Sequence, residues 1–233
     1  MKVSIIVPCY NEEENVTTLV ERFSAFADEY EIELILVDNG SKDQTRELIV
    51  KNTKKFSFVH LAVVDHNIGY GNGILKGLQM ATGQLLGWIH ADLQSEPEVF
   101  KNMIDSAKNE TQSFLYKGAR KNRSFFDVLF TTGMSLFESF YFKLFLWDIN
   151  SQPTLVHRDF YESWKNPPID FSLDLYTYVL ARRTHVKVLK YISVQHKRQG
   201  GISSWNQNWF SRIKMIKRVL LSSRNVKRII LEN

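Results

Sequence analysis

The segment best equipped for chemistry is His90-Ala91-Asp92-Leu93-Gln94. It follows a short apolar run, residues 85–89, and leads to Pro97, a residue suited to the first turn of a helix. In an extended loop Asp92 and Gln94, two positions apart, point the same way. A carboxylate and an amide oxygen are hard donors that suit Mg²⁺ or Mn²⁺. His90 adds an imidazole, which suits Mn²⁺ better than Mg²⁺. Two readings of the segment stand side by side: a metal site, or a helix start capped by Asp92 or Ser95.

Other polar clusters follow apolar runs in the same way. Pro8-Cys9-Tyr10-Asn11-Glu12 sets an aromatic ring beside hydrogen-bonding groups, or is simply a strand exit. Asp38-Asn39-Gly40-Ser41-Lys42-Asp43 offers buried polar side chains for recognition, or is a tight turn, which Asn-Gly also explains. Asn67 precedes Gly69-Tyr70-Gly71-Asn72-Gly73, whose G-x-G-x-G spacing departs from the dinucleotide fingerprint. Its small residues would still let a helix N-terminus face a phosphate. Arg120 and Lys121 bind an anion or solvate a loop. Asp170 and Asp174 lie four apart and share a face if helical, as a general base, or as a cap and a surface acid. Residues 196–205, with Arg198, form a cationic glycine-containing loop suited to closing over a diphosphate.

These clusters require strands that end together. Residues 3–7, 33–37, 61–64 and 85–89 are short, rich in Val, Ile and Leu, and lack polar alternation, as strands covered on both faces do. Helix-length segments at about 13–28, 44–53 and 73–81 separate them. The alternation predicts βαβ units in an α/β three-layer sandwich, with a mostly parallel central sheet and helices on both faces. Ligands in such sheets bind beyond the carboxyl ends of the strands, where the polar clusters fall. Residues 125–147 are apolar and aromatic, but Asp127, Glu138 and Lys143 interrupt them. This argues against a membrane span and for a helix on a membrane, a substrate wall or core packing.

The 233 residues, 44% hydrophobic, suffice for one domain plus a tail. The single Cys9 excludes an internal disulfide and a four-cysteine zinc site, and fits a reducing cytoplasmic setting. No signal-peptide pattern opens the sequence. The net charge of +5 conceals an asymmetry: residues 175–233 hold thirteen Lys or Arg and one Glu, or +12, and the rest sums to −7. An anionic partner is expected, or a solvated basic face. Trp209, Ile213, Ile216 and Leu220 form one helical stripe, with Arg212, Lys214, Lys217 and Arg218 mostly on other faces. Such a basic amphipathic helix, residues 205–233, suits an anionic membrane surface or docks on the domain.

Taken together, Val-Pro-Cys-Tyr-Asn-Glu-Glu-Glu-Asn (7–15), Val-Asp-Asn-Gly-Ser-Lys-Asp (37–43), Asn-Ile-Gly-Tyr-Gly (67–71) and His-Ala-Asp-Leu-Gln (90–94) resemble family 2 glycosyltransferases of GT-A fold. The Asp-Leu-Gln ending and Arg-Gln-Gly-Gly-Ile-Ser-Ser-Trp (198–205) look most like the polyprenyl-phosphate, dolichol-phosphate mannose type branch. The resemblance implies a GT-A domain over 1–204, with a donor half to about 120 and an acceptor half from about 121. It implies inverting transfer from a UDP- or GDP-sugar to a lipid phosphate or glycan. The setting would be cell-surface polysaccharide or glycolipid synthesis, peripheral on the inner face of a membrane. Donor contacts are expected at Pro8, Tyr10, Asn11, Glu12, Asp38, Asn39, Asn67, Gly69, Ala91 and Arg120. Metal contacts are expected at Asp92, Gln94 and His90, with Mg²⁺ or Mn²⁺, the latter favoured by His90. Arg198 would meet the diphosphate and Asp174 the acceptor. The family's Asp-x-Asp is here His90-Ala91-Asp92, and its acid pair is here Asp38-Asn39. Nucleic acid is not an expected partner. The alternative is a non-catalytic membrane- or nucleic-acid-binding protein with a degenerate sugar site.

Overall fold

The structure, a computed structural model, describes residues 1–196 and 209–232. Strands β1 (Val3–Cys9), β2 (Ile32–Asn39), β3 (Val59–Val64) and β4 (Leu85–Trp88) form where the aliphatic runs predict them. They are parallel, in the order β3-β2-β1-β4. Helices α1 (Val16–Ser24), α2 (Thr45–Lys55) and α3 (Tyr70–Met80) connect them, and α4 (Val99–Ala107) follows. β2 is buried along its whole length and β1 nearly so, which is why neither shows polar alternation.

The second half adds three strands that its less regular sequence hides. β5 (Phe114–Lys121) leads to the long α5 (Phe125–Phe142). β6 (Thr154–His157) runs straight into α6 (Arg158–Glu162), and α7 (Leu173–Arg183) precedes β7 (Lys187–Val194). The sheet becomes seven-stranded, in the order β3-β2-β1-β4-β6-β5-β7. β6 is antiparallel to both β4 and β5, while β5 and β7 are parallel. Helices cover both faces over two apolar cores. One gathers Val20, Phe23, Ile49, Phe100 and Met103 from α1, α2 and α4. The other gathers Ile74, Leu78, Tyr176, Val179 and Val226 from α3, α7 and α8 (Trp209–Leu231).

The chain leaves β1 toward β2 on one side and reaches β4 on the other. The crevice beyond the ends of β1 and β4 is therefore the natural ligand site of an open α/β sheet.

Two expectations for the helices change. Of the expected stripe, Ile216 and Leu220 of α8 are exposed and the side chains of Trp209 and Ile213 lie outside the described residues, while Val219, Ser222, Ser223 and Val226 are buried. Docking on the domain and an outward apolar stripe thus occupy different faces of one helix. In α5 core packing holds only toward the C-terminal end, where Phe142 is buried and Tyr141 packs beside it. Phe125, Phe126, Leu129, Leu136 and Phe140 are exposed, whereas Ser135 and Glu138 are buried.

The glycine run at α3 has a packing reason. A Cβ on Gly71 would lie 2.5 Å from the Asp170 carbonyl oxygen, and one on Gly69 would lie 2.5 Å from that of Ile169. The Gly71 and Asn72 N–H groups donate to the Asp170 and Ile169 carbonyls at 3.2 and 2.7 Å. The first turn of α3 is thereby closed by chain rather than left open to a phosphate. Gly71→Ala is expected to lower the melting temperature by about 3–10 °C, since overpacking costs about 1–3 kcal/mol. Gly133→Ala, where nothing lies within 4 Å, should leave it unchanged or raise it slightly by helix propensity. Thermal denaturation of the two variants checks both.

Candidate active site

A cleft of about 860 Å³ opens beyond the carboxyl ends of the central strands. The β1 exit supplies Pro8 and Glu12, and the β4 exit supplies His90, Ala91, Asp92 and Gln94. The β5 exit and α5 contribute Arg120, Asn122, Arg123, Asp127, Thr131 and Met134. Asn150 and Gln152 precede β6, and Gln195 and His196 follow β7.

The loop with Asp92 is held in an unusual backbone. Leu93 is buried at 2% exposure and has φ 55, a left-handed conformation that a leucine rarely adopts. Its side chain packs into the core beneath the sheet ends, which turns its neighbours outward. Asp92 Oδ1 accepts the Gln94 N–H at 3.1 Å. From β7, the His196 N–H donates to the Gln94 carbonyl at 2.9 Å and Gln195 Nε2 donates to Ser95 Oγ at 2.9 Å. Among the described residues no three His, Cys, Asp or Glu gather as a metal cluster. Asp92 and Gln94 nevertheless line the cleft as two hard oxygen donors. That set fits a cation of the Mg²⁺ type, which takes one or two carboxylates and completes its shell with substrate phosphates and water. The His90 ring lies against Tyr70, with centroids 4.9 Å apart.

The loops after β1 and β2 interlock. Asn11 Oδ1 accepts the Lys42 N–H at 2.9 Å, and Thr45 Oγ1 accepts the Glu12 N–H at 2.8 Å. Asp38 is fully buried. Its carboxylate accepts the Ser41 N–H at 2.9 Å and Arg46 Nε at 2.5 Å. Asn39 Nδ2 donates to the Gly69 carbonyl at 3.1 Å, and Asn67 Oδ1 accepts the Gly69 N–H at 3.1 Å. Of the expected donor contacts, Pro8, Glu12, Ala91 and Arg120 line the cleft. Tyr10, Asn11, Asp38, Asn39, Asn67 and Gly69 lie off its lining. Asp38, Asn39, Asn67 and Gly69 hold the strand-end turns together, while Tyr10 stays exposed.

Asp174 is not a surface acid. It sits in the first turn of α7 at 2% exposure, 3.2 Å from the buried ammonium of Lys117 on β5. Trp88 Nε1 donates to the same carboxylate oxygen at 3.2 Å, and Gln152 Nε2 faces the other at 3.5 Å. Gln152 also donates to the Tyr70 hydroxyl at 2.5 Å, and burial together with Asp174 pushes that phenol well above its usual range. Arg120, expected as an anion contact, is engaged by Asp148 through its N–H and guanidinium. Arg123 lines the cleft half-buried. It donates to the Thr131 hydroxyl at 2.8 Å and the Asp127 carbonyl at 3.3 Å, and forms no ion pair among the described residues. Burial and the neighbouring Arg120 lower its pKa. Arg198 lies outside the described residues. Arg123 and Gln152 were missed in the sequence because each stands among other polar residues, 120–124 and 150–152, in irregular segments where nothing local singles it out.

Two further groups, the buried Glu138 and the half-buried Lys190, carry a pH signature. Glu138 on α5 accepts the Ser223 hydroxyl of α8 at 2.7 Å, and burial lifts its pKa to about 7. Lys190 on β7 donates to the Asp148 carbonyl and Ser151 Oγ, both at 3.1 Å. Burial, then Lys117, lowers its pKa to about 7. Between about pH 4.5 and 7 the folded chain holds a proton on Glu138 that the unfolded chain has lost, so stability falls as pH rises. Between about 7 and 10 the unfolded chain holds the Lys190 proton that the folded chain has lost, so stability rises. Glu138→Gln is expected to flatten the first slope and Lys190→Met the second, in urea denaturation across that range. A separate prediction concerns the buried pair. Lys117→Met should cost about 3–5 kcal/mol by stranding the Asp174 charge. Lys117→Met with Asp174→Asn should recover much of it, measured by the same denaturation.

Comparison with known proteins adds three observations. The sequence profile described as glycosyl transferase family 2 matches residues 4–160. Undecaprenyl-phosphate 4-deoxy-4-formamido-L-arabinose transferase of Photorhabdus laumondii is 34% identical over 110 residues, 46% of this chain and 34% of that protein. The enzyme of the same name from Salmonella paratyphi A is 31% identical over 137 residues, 58% of this chain and 41% of its own. The chain thus matches 34% to 41% of the length of these curated relatives. Among solved structures, glucosyl-3-phosphoglycerate synthase from Mycobacterium tuberculosis with Mn²⁺, UDP and phosphoglyceric acid superposes with a TM-score of 0.72. At 13% identity it covers 99% of this chain and 78% of its own, a likeness of fold.

Proposed function

The chain belongs to glycosyltransferase family 2, and on that premise we propose that its cleft moves a sugar from a UDP- or GDP-sugar to a lipid phosphate, with inversion at the anomeric carbon. The observation that carries the choice of acceptor is the closure of Asp174 against Lys117. A hydroxyl acceptor needs a base that touches it. Asp174 is buried under the cleft floor and already neutralised. A phosphate acceptor arrives as an anion and needs no deprotonation, and Arg123 offers it a guanidinium with no carboxylate partner among the described residues. The curated relatives, named for transfer to undecaprenyl phosphate, support the same class of acceptor.

In this reading Asp92 and Gln94 hold a divalent cation, and His90 joins them if its ring leaves Tyr70, which would favour Mn²⁺ over Mg²⁺. When bound, the cation neutralises the leaving diphosphate. Pro8, Tyr10, Asn11, Glu12, Asp38 and Asn39 shape the nucleoside end, with Arg46 turned off Asp38 when the base enters. Asn67 and Gly69 support that end through Asn39. Ala91 and Arg120 border the sugar, and Arg198 meets the diphosphate. Asp174 is a positioning residue that fixes Gln152 and Tyr70 beneath the reacting centre. The enzyme would work in cell-surface glycolipid or polysaccharide synthesis, peripheral on the inner face of the membrane, with α8 against anionic lipid.

Arg123→Ala is expected to raise KM for a prenyl-phosphate acceptor about 10–100-fold, the loss of a charge-assisted hydrogen bond, with donor affinity unchanged. Thermal-shift titration with UDP- and GDP-sugars, with and without Mn²⁺, should show a metal-dependent rise in Tm that Asp92→Asn abolishes. If no nucleotide sugar raises Tm, the donor site is wrong. If transfer proceeds only to a hydroxyl acceptor and Asp174→Asn abolishes it, Asp174 is a base and the phosphate acceptor is wrong.

A further inference from the structure

Helix α5 is built inside out. Its exposed stripe runs Phe126, Leu129, Gly133, Leu136 and Phe140, at alternating spacings of three and four, the period of one helical face. Phe140 is 87% exposed. No charge falls on the stripe. Of the two acids of α5, Asp127 lines the cleft and Glu138 is buried against Ser223 of α8. Beyond the helix, Phe145 and Trp147 are exposed as well. A contiguous exposed apolar face of this kind marks an interaction site.

What borders the face identifies its occupant. α8 is held beside α5 by the Glu138–Ser223 bond and by Lys227, whose ammonium sits 4.4 Å over the Tyr141 ring. Lys217, Arg218, Arg224 and Arg228 are exposed on α8, and no acid occurs from 215 to 231. Exposed Leu220 and Leu221 lie among them. A second copy of the chain, docked symmetrically here, would set these cations against each other. A neutral aromatic face on one helix beside a neighbouring helix of exposed cations matches the boundary between acyl chains and anionic headgroups.

We propose that the α5–α8 face docks on an anionic bilayer, with the α5 phenylalanines inserted among the acyl chains and the α8 cations on the headgroups. The inner side of α5, through Asp127, Phe130, Thr131 and Met134, is a wall of the cleft. Docking would therefore set the cleft mouth at headgroup depth. Its use there rests on the lipid-phosphate reading, while the docking itself does not.

The test is vesicle sedimentation without donor or acceptor. The wild-type chain should bind phosphatidylglycerol vesicles with salt-sensitive affinity, at least about tenfold above phosphatidylcholine. Phe126→Ser/Phe140→Ser removes two exposed side chains and should keep its fold, verified by an unchanged Tm. It should bind at least about tenfold more weakly, from the apolar area no longer inserted. Arg224→Ser/Arg228→Ser should weaken binding to anionic vesicles and reduce its salt dependence. No binding to phosphatidylglycerol, full binding by the Phe double variant, or a stable dimer in light scattering that the same variant dissociates would each overturn the proposal. Transfer to a short, water-soluble prenyl phosphate, measured without vesicles, reads the catalytic proposal separately.

Discussion

The ion pair between Lys117 on β5 and Asp174 on α7 is the point in the second half of the molecule to which elements of the first half are joined. It is nearly inaccessible to water, so each charge depends on the other and on the groups around them. Trp88 brings β4 to it, Thr154 brings β6, Gln152 the segment before β6, and through Gln152 Tyr70 brings α3. Few side chains join so many elements at one point. The hydrogen bonds that satisfy the carboxylate also set the floor of the cleft, since Gln152 is both partner and lining. A buried pair is a weak source of net stability, but it is intolerant of misplacement. That intolerance suits a floor that must keep its shape.

Above this floor the cleft divides by chemistry. Asp92 and Glu12 come from the strand ends of the first half, while Arg120 and Arg123 come from the end of β5. Arg120 is spent on Asp148, whereas Arg123 meets only neutral oxygens. The strained Leu93 and the clamp from Gln195 and His196 hold the loop between the two groups. Strain at a buried leucine persists only where the surrounding packing over-determines it. Here the core on one side and the β7 exit on the other do so. The loop therefore presents Asp92 and Gln94 in one arrangement rather than several.

The first half was legible because its signals are local. Aliphatic strands, helix-length spacers and polar strand ends follow one another in sequence, and the sheet places those ends together by its topology alone. The second half misled for two physical reasons. The strands β5, β6 and β7 are short or carry Lys and Arg at half-covered positions, so their pattern resembles loop. The apolar residues of α5 left a membrane face, a substrate wall and core packing open, and the structure turns several of the largest outward and its glutamate inward. Periodicity tells that a helix has faces and not which of them the protein covers.

The sequence by itself determined the class of fold, the four parallel strands of its first half, and the Asp92–Gln94 loop at the exit of the fourth, because each is written in neighbouring residues. Only the tertiary structure decided the rest. It closed the N-terminus of α3 with the 169–170 carbonyls, occupied Asp38 with Arg46, and sank Asp174 against Lys117, 57 positions away. It also added Arg123 and Gln152 to the cleft. Whether an acid is a base, a cap or half of a buried pair depends on what stands within a few ångströms of it. That neighbour comes from another element, which no local pattern specifies.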